Sequence, residues 1–264
     1  MIDFRMPNIK GLKPIKTIEQ LLTSYMVAEA IIEIRDERKD KFKKVTKKIL
    51  PPLKNKDKRA NDLYLEFSNL VGFSPALVFL VKLGLDDMVT YKFKDNPSVT
   101  VAAQQDTKHL QELYQANFSL FANVNLYDHT LNVFEEAIKT GQKKGRIIQI
   151  AIPIIAALFH DFGKATLIRE KLLGDTSNTR AYRAHADVSE MYLREILAEK
   201  YYKIMQNITT ETIETLSFLV KNHHATGNNK ITRNIQIQFI KEADIKARKK
   251  EFKAIQSEKL GLSK

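Results

Sequence analysis

Thirteen consecutive residues, 147–159 (Ile-Ile-Gln-Ile-Ala-Ile-Pro-Ile-Ile-Ala-Ala-Leu-Phe), are almost wholly apolar and run straight into His160-Asp161. A helix that is apolar all round has no face to turn to water and must be buried on all sides. The segment therefore reads as the central helix of a helical core, with a kink expected at Pro153. It is too short to span a bilayer, as is the other long apolar stretch, Leu70–Val81, which Ser74 and Pro75 interrupt.

The rest of the chain is punctuated sparingly. Nine glycines and seven prolines in 264 residues leave room for long helices. Residues 17–49 are expected to be helical, with Ile18, Leu21, Leu22, Tyr25, Ala28 and Ile32 on one stripe, ended by Pro51-Pro52. A second helix is expected over 60–70 and a short buried one over 76–84, ended by Gly84. β-Branched and aromatic residues in Met88–Phe93 and Ser98–Ala102 flank Asp95-Asn96-Pro97, the pattern of a small β-hairpin. Beyond about residue 107 the pattern is helical again. Tyr127, Leu131, Phe134 and Ile138 form an amphipathic stripe that starts near Asp128. Further helices are expected at about 185–203, 209–224 and 232–255. The expected architecture is mostly α: a helical bundle over 106–264, preceded by an N-terminal helical region, 1–105, that carries the hairpin.

Charge and cysteine usage narrow the function classes. Lys and Arg number 43 against 31 Asp and Glu, a net charge of +12. Twelve basic and four acidic residues lie between Arg35 and Arg59, and eight against four between Lys241 and Lys264, so two stretches hold the whole excess. Clustered Lys and Arg suit a phosphate backbone, although a solvated helix face has the same composition. The chain has no cysteine, which excludes disulfides, thiolate metal sites and a cysteine nucleophile and fits a cytoplasmic setting. No basic segment followed by an apolar one opens the chain, so no secretory leader is expected.

The histidines carry the chemistry. Five of the six, His129, His160, His185, His223 and His224, fall at expected helix ends, and His109 reads as a surface residue. A His-Asp pair closing a buried helix is costly unless the carboxylate is compensated. A cation supplies that compensation, because neutral imidazole donates nitrogen and one carboxylate can bridge two ions. Gly163 is expected to stop the helix, and Lys164 to project beside the same pocket, where its ammonium can hold a phosphate oxygen.

The ordered set His129, His160-Asp161, His185, His223-His224 and Asp244 resembles the HD superfamily of metal-dependent phosphohydrolases. Tyr-Asp-His-Thr-Leu-Asn-Val (127–133), Ala-Leu-Phe-His-Asp-Phe-Gly-Lys-Ala (157–165) and Glu-Ala-Asp-Ile-Lys-Ala-Arg (242–248) carry the resemblance. The extra histidines at 185, 223 and 224 make it similar to the two-metal subgroups. These include the nuclease domains of CRISPR-associated helicases and the HD-GYP phosphodiesterases, though the additional HD-GYP blocks find no convincing match. The resemblance implies one metal on His129, His160, Asp161 and Asp244, and a second sharing Asp161 and adding His185, His223 and His224. One or two ions of Mn, Fe, Ni, Co or Zn fit such donors, with Mg disfavoured. Asp161 and Lys164 are the implied catalytic residues, with Lys164, Arg180 and Arg183 facing substrate. The expected activity is cleavage of phosphodiester or phosphomonoester bonds, and the charge favours single-stranded nucleic acid as substrate. A nucleotide or cyclic-dinucleotide hydrolase, and a non-catalytic basic nucleic-acid or protein-binding module, stay open at this point, as does the oligomeric state. No membrane partner is expected.

Overall fold

The computed structural model describes residues 50–72, 74–99, 121, 123–144, 147–174, 184–200, 210–227 and 229–259. The chain divides into two compact units, 1–51 and 52–264. The helices expected over 17–49, the division expected near residue 105, and Arg180 and Arg183 lie outside the described residues. Within the second unit the helices are α1 (Lys58–Leu70), α2 (Pro75–Thr90), α3 (Leu126–Lys144), α4 (Ile147–Phe159), α5 (Thr166–Leu173), α6 (His185–Met191), α7 (Thr210–Lys221) and α8 (Ile235–Lys259). A π-helical stretch, Tyr192–Leu197, continues α6, and 3₁₀ turns occupy Phe93–Asp95 and Phe162–Lys164. Among the described residues no single helix is long and apolar enough to cross a membrane.

Helix α4 is the hub. It touches α2, α3, α7 and α8, and Ala151 and Ile154–Phe159 are all buried, as a helix without a polar face requires. It runs through Pro153 as one element. Helix α1 starts at Asp57, whose carboxylate accepts from the backbone N–H groups of Arg59 (2.8 Å) and Ala60 (3.2 Å). Its buried face, Ala60, Leu63, Tyr64 and Phe67, follows the helical period. Helix α3 is capped one turn earlier than expected: Asn125, not Asp128, accepts from the Asp128 N–H (2.8 Å), and its amide donates to the Asp128 carboxylate (2.7 Å). Its buried set is wider than one stripe, adding Leu126, Val133 and Ala137 to Tyr127, Leu131, Phe134 and Ile138.

Two local expectations are corrected. Gly84 does not end a helix; it sits inside α2, where a Cβ would lie 2.8 Å from the Phe159 ring and 2.9 Å from Leu158. The glycine is there so that α2 can approach α4. The hairpin does not form, because its expected first arm is the last turn of α2 and the 3₁₀ turn after it. Met88 is fully buried on that turn and Tyr91 packs edge-on against Tyr192 at 6.1 Å, so tertiary burial outweighs the β-propensity of Val89, Thr90 and Tyr91. Of the second arm, Ser98 and Val99 are described. Residues 96–98 instead run beside 124–126: a single bridge joins Pro97 to Asn125, the Ser98 N–H donates to the Val124 carbonyl (2.8 Å), and the Leu126 N–H to that of Asn96 (2.7 Å). That pairing fastens residues 96–98 to the start of α3, beside the histidine cluster.

Candidate metal centre

Asp161 lies just past the end of α4, and its two carboxylate oxygens face different histidines. Oδ2 is 3.4 Å from His129 Nε2 and 3.3 Å from His160 Nε2. Oδ1 is 3.2 Å from His185 Nε2 and 3.9 Å from His223 Nε2. Asp244 Oδ1 approaches His129 Nε2 to 3.4 Å, and His224 Nε2 meets His185 Nε2 at 2.9 Å. All seven residues expected as ligands are thus brought together from α3, the end of α4, the start of α6, the end of α7 and α8.

The helix ends aim the imidazoles. His160 follows α4 and its Nδ1 lies 2.8 Å from the Ala157 carbonyl; His223 follows α7 and its Nδ1 lies 2.5 Å from the Val220 carbonyl. In both, the ring satisfies a carbonyl that the helix leaves open, and a proton on Nδ1 leaves Nε2 as a lone-pair donor facing Asp161. His129 is set by a residue the sequence reading did not single out. Its Nδ1 is 2.9 Å from Oε1 of buried Glu251, which also accepts from the Asn132 amide (2.8 Å) and, at Oε2, from Arg248 (3.0 Å). Glu251 stands seven residues after Asp244, two helical turns on, so helical spacing was the signal that could have found it.

Gly163 has a role other than the one expected. A Cβ there would fall 2.1 Å from the His185 carbonyl oxygen and 2.7 Å from the Ser189 nitrogen, so glycine lets α6 seat against the 162–164 turn. Ser189 locks the contact: its hydroxyl accepts from the Gly163 N–H (2.7 Å) and donates to the His160 carbonyl (3.0 Å). Lys164 lies at the cluster, donating to Asp161 Oδ2 (2.6 Å) and to the Ser98 carbonyl (3.0 Å).

The electrostatics divide the histidines. Burial pulls the His129 imidazole down, as does Arg248, but Asp161, Asp244 and Glu251 outweigh both and raise it to about 9. Burial lowers His185 and takes His223 well below the usual imidazole range, and burial with His185 beside it lowers His224 to about 4. Burial opposes ionisation of Asp161, yet His160, Lys164 and His129 hold its carboxyl well below the usual range; Asp244 is held low in the same way, chiefly by His129. Ionised carboxylates thus face cationic His129 on one side and neutral His185, His223 and His224 on the other, and a cation taken up beside His129 displaces its proton.

The donor set fits a metal. Five buried polar atoms here have no hydrogen-bond partner among the described residues: His129 Nε2, His160 Nε2, His223 Nε2, Asp161 Oδ1 and Asp244 Oδ1. Buried polar atoms are normally paired, and leaving five open at one point is costly unless something binds them. Asp161 with His185, His223 and His224, and Asp161 with His129 and His160, each place ligand atoms within 4.8 Å of one another, so each group can hold an ion. His224 is exposed and His185 partly so, and the cluster therefore opens to solvent on that side.

If Glu251 orients His129, Glu251→Ala should weaken metal binding about 10- to 100-fold, with Glu251→Gln recovering part of the loss because its carbonyl still accepts from Nδ1. Calorimetric titration of the three proteins with Mn²⁺ checks this, and equal affinities would show that Glu251 does not act on His129.

Residues 126–251 match the family model of the HD domain. Comparison with curated proteins and with solved structures finds no match.

Proposed function

We propose that this chain, whose residues 126–251 match the HD-domain family model, is a metal-dependent phosphohydrolase that cleaves phosphodiester bonds, with single-stranded nucleic acid as its substrate. The observation that supports it best is the placement of donor groups around both oxygens of Asp161, five of their atoms buried and unpaired. His129, His160, Asp161 and Asp244 would hold one cation, and Asp161, His185, His223 and His224 a second. Imidazole with carboxylate suits Mn, Fe, Co, Ni or Zn better than Mg. Bound there, such ions supply Lewis-acid polarisation of a phosphoryl oxygen and an acidified water.

The chain's own groups do the rest. His160 and His223 are held by helix-end carbonyls and His129 by Glu251, so the donors need little reorganisation. Lys164 uses two of its N–H donors on Asp161 and Ser98, and the third is available to a substrate phosphate oxygen. Substrate approaches on the open side, past His185 and His224. The choice of nucleic acid rests on charge, since the two basic stretches hold the chain's whole excess.

A panel of single-stranded oligonucleotide, cyclic dinucleotide, nucleotides and an aryl phosphodiester, each with Mn, Ni, Co and Mg, tests the reading. Oligonucleotide and aryl ester should both be cleaved with a transition metal. The oligonucleotide rate should fall steeply with salt, by a slope of roughly 0.7 per neutralised phosphate, while the aryl ester rate should not. Turnover of nucleotides alone would make the chain a small-molecule hydrolase, and binding without turnover a non-catalytic module. Lys164→Ala should retain metal yet lose roughly 10- to 100-fold in kcat/KM, the worth of one charge-assisted hydrogen bond. Unchanged kinetics would remove Lys164 from the reaction, and lost metal would show that it supports the ligands instead.

A further inference from the structure

Separate from the histidine cluster, a cavity of about 540 Å³ opens between the segment before α1 and the turn after α2. Lys54 and Lys56 line it from one side, and Lys92 and Lys94 from the other. All four are exposed, and the ammonium groups of Lys54, Lys56 and Lys92 have no hydrogen-bond or ion-pair partner among the described residues. Lys92 adds a second observation. It is the one non-glycine residue with positive φ among those described (φ 51, ψ 48), at a helix end where glycine or asparagine would sit with less strain. A lysine thus stands where the backbone would favour glycine, and it lines the cavity.

The other groups set the ligand's character. Asp57 is spent on capping α1, with Lys94 4.0 Å from its second oxygen, so among the described residues Asp95 is the only lining carboxylate without such a duty. Half-exposed Val89 supplies an apolar wall, and Lys94 lies 4.9 Å over the Tyr127 ring. The volume is that of a small-molecule site and exceeds what one inorganic phosphate fills. Against Asp95 the three unpaired ammonium groups leave a net charge of +2, so it is the volume and the spread of the lysines over two segments that favour more than one phosphate. We propose that this cavity binds a small molecule that carries two or more phosphates next to an apolar or aromatic portion, as a nucleoside polyphosphate does.

The test is calorimetric titration of the metal-free full chain, in EDTA, with ATP, inorganic triphosphate and a short single-stranded oligonucleotide. Working without metal separates this site from the proposed phosphohydrolase centre. ATP should bind saturably at one site, and more tightly than triphosphate, which cannot use the Val89 wall. Lys54→Ser/Lys56→Ser/Lys92→Ser should weaken ATP about tenfold or more, and Val89→Asp should weaken it as well. Lys164→Ala, in the histidine cluster, and Lys249→Ser/Lys253→Ser, on α8, should leave it unchanged. Absent ATP binding, equal loss in the α8 or Lys164 variants, triphosphate binding as tightly as ATP, or binding of the oligonucleotide alone would each overturn the proposal.

Discussion

Asp161→Ala should yield a chain that keeps no transition metal, melts several degrees lower and has no measurable phosphodiesterase activity. The argument is one of charge as much as of coordination. Asp161 is buried against Lys164 at 2.6 Å and against the His129, His160 and His185 imidazoles within 3.4 Å, so its loss leaves cationic Lys164 and His129 without their shared counter-charge in a low-dielectric pocket. Removing one partner of such a buried arrangement costs about 3–5 kcal/mol. The loss should therefore persist when wild type and variant are both melted in EDTA. A variant whose EDTA melt matches wild type would show that the carboxylate is not the charge anchor of the site. Retention of metal would show that it does not join the two donor groups.

Gly163→Ala is expected to do comparable damage without touching a donor atom. The new methyl would meet the His185 carbonyl at 2.1 Å and Val188 Cβ at 2.8 Å, and these belong to a helix rather than to a yielding side-chain tip. The start of α6 must move, and His185 moves with it, away from Asp161 and His224. A stability loss of about 3 kcal/mol, at the upper end for overpacking, should accompany loss of the His185 metal position, with the His129 position still able to bind. Gly72 is the contrast: its φ is 58 with nothing within 4 Å, so Gly72→Asn should cost less than about 1 kcal/mol. Thermal melts with metal stoichiometry measure both variants. A Gly163→Ala protein with wild-type stability and stoichiometry would mean that α6 is not held against the 162–164 turn as described.

Residue chemistry made much of the candidate site legible before the fold was known. A buried His-Asp pair is expensive in any fold, and few side chains other than His and Asp can supply mixed nitrogen and oxygen donors. The central position of 147–159 was legible for a similar reason, since such a segment has no soluble alternative. What escaped notice depends on distance between elements. Glu251 looks like one more acid on a charged helix until α8 packs on α3 and brings it to His129. Gly84 and Gly163 read as helix stops because local sequence cannot reveal a neighbouring helix that needs the space of a missing Cβ. The hairpin failed on the same ground. Val89, Thr90 and Tyr91 favour a strand intrinsically, but burial of Met88 and packing of Tyr91 on Tyr192 hold the first two in α2 and Tyr91 at its C-cap.

Metal content is the most direct test of the central claim. Elemental analysis of the purified chain, followed by titration of the stripped protein with Mn²⁺, Ni²⁺, Co²⁺ and Zn²⁺, should give one or two ions per chain. Binding should release protons, because cationic His129 must give up its own. A chain that carries no metal as purified, takes up none of the four ions and shows no metal-dependent rise in melting temperature would contradict the account.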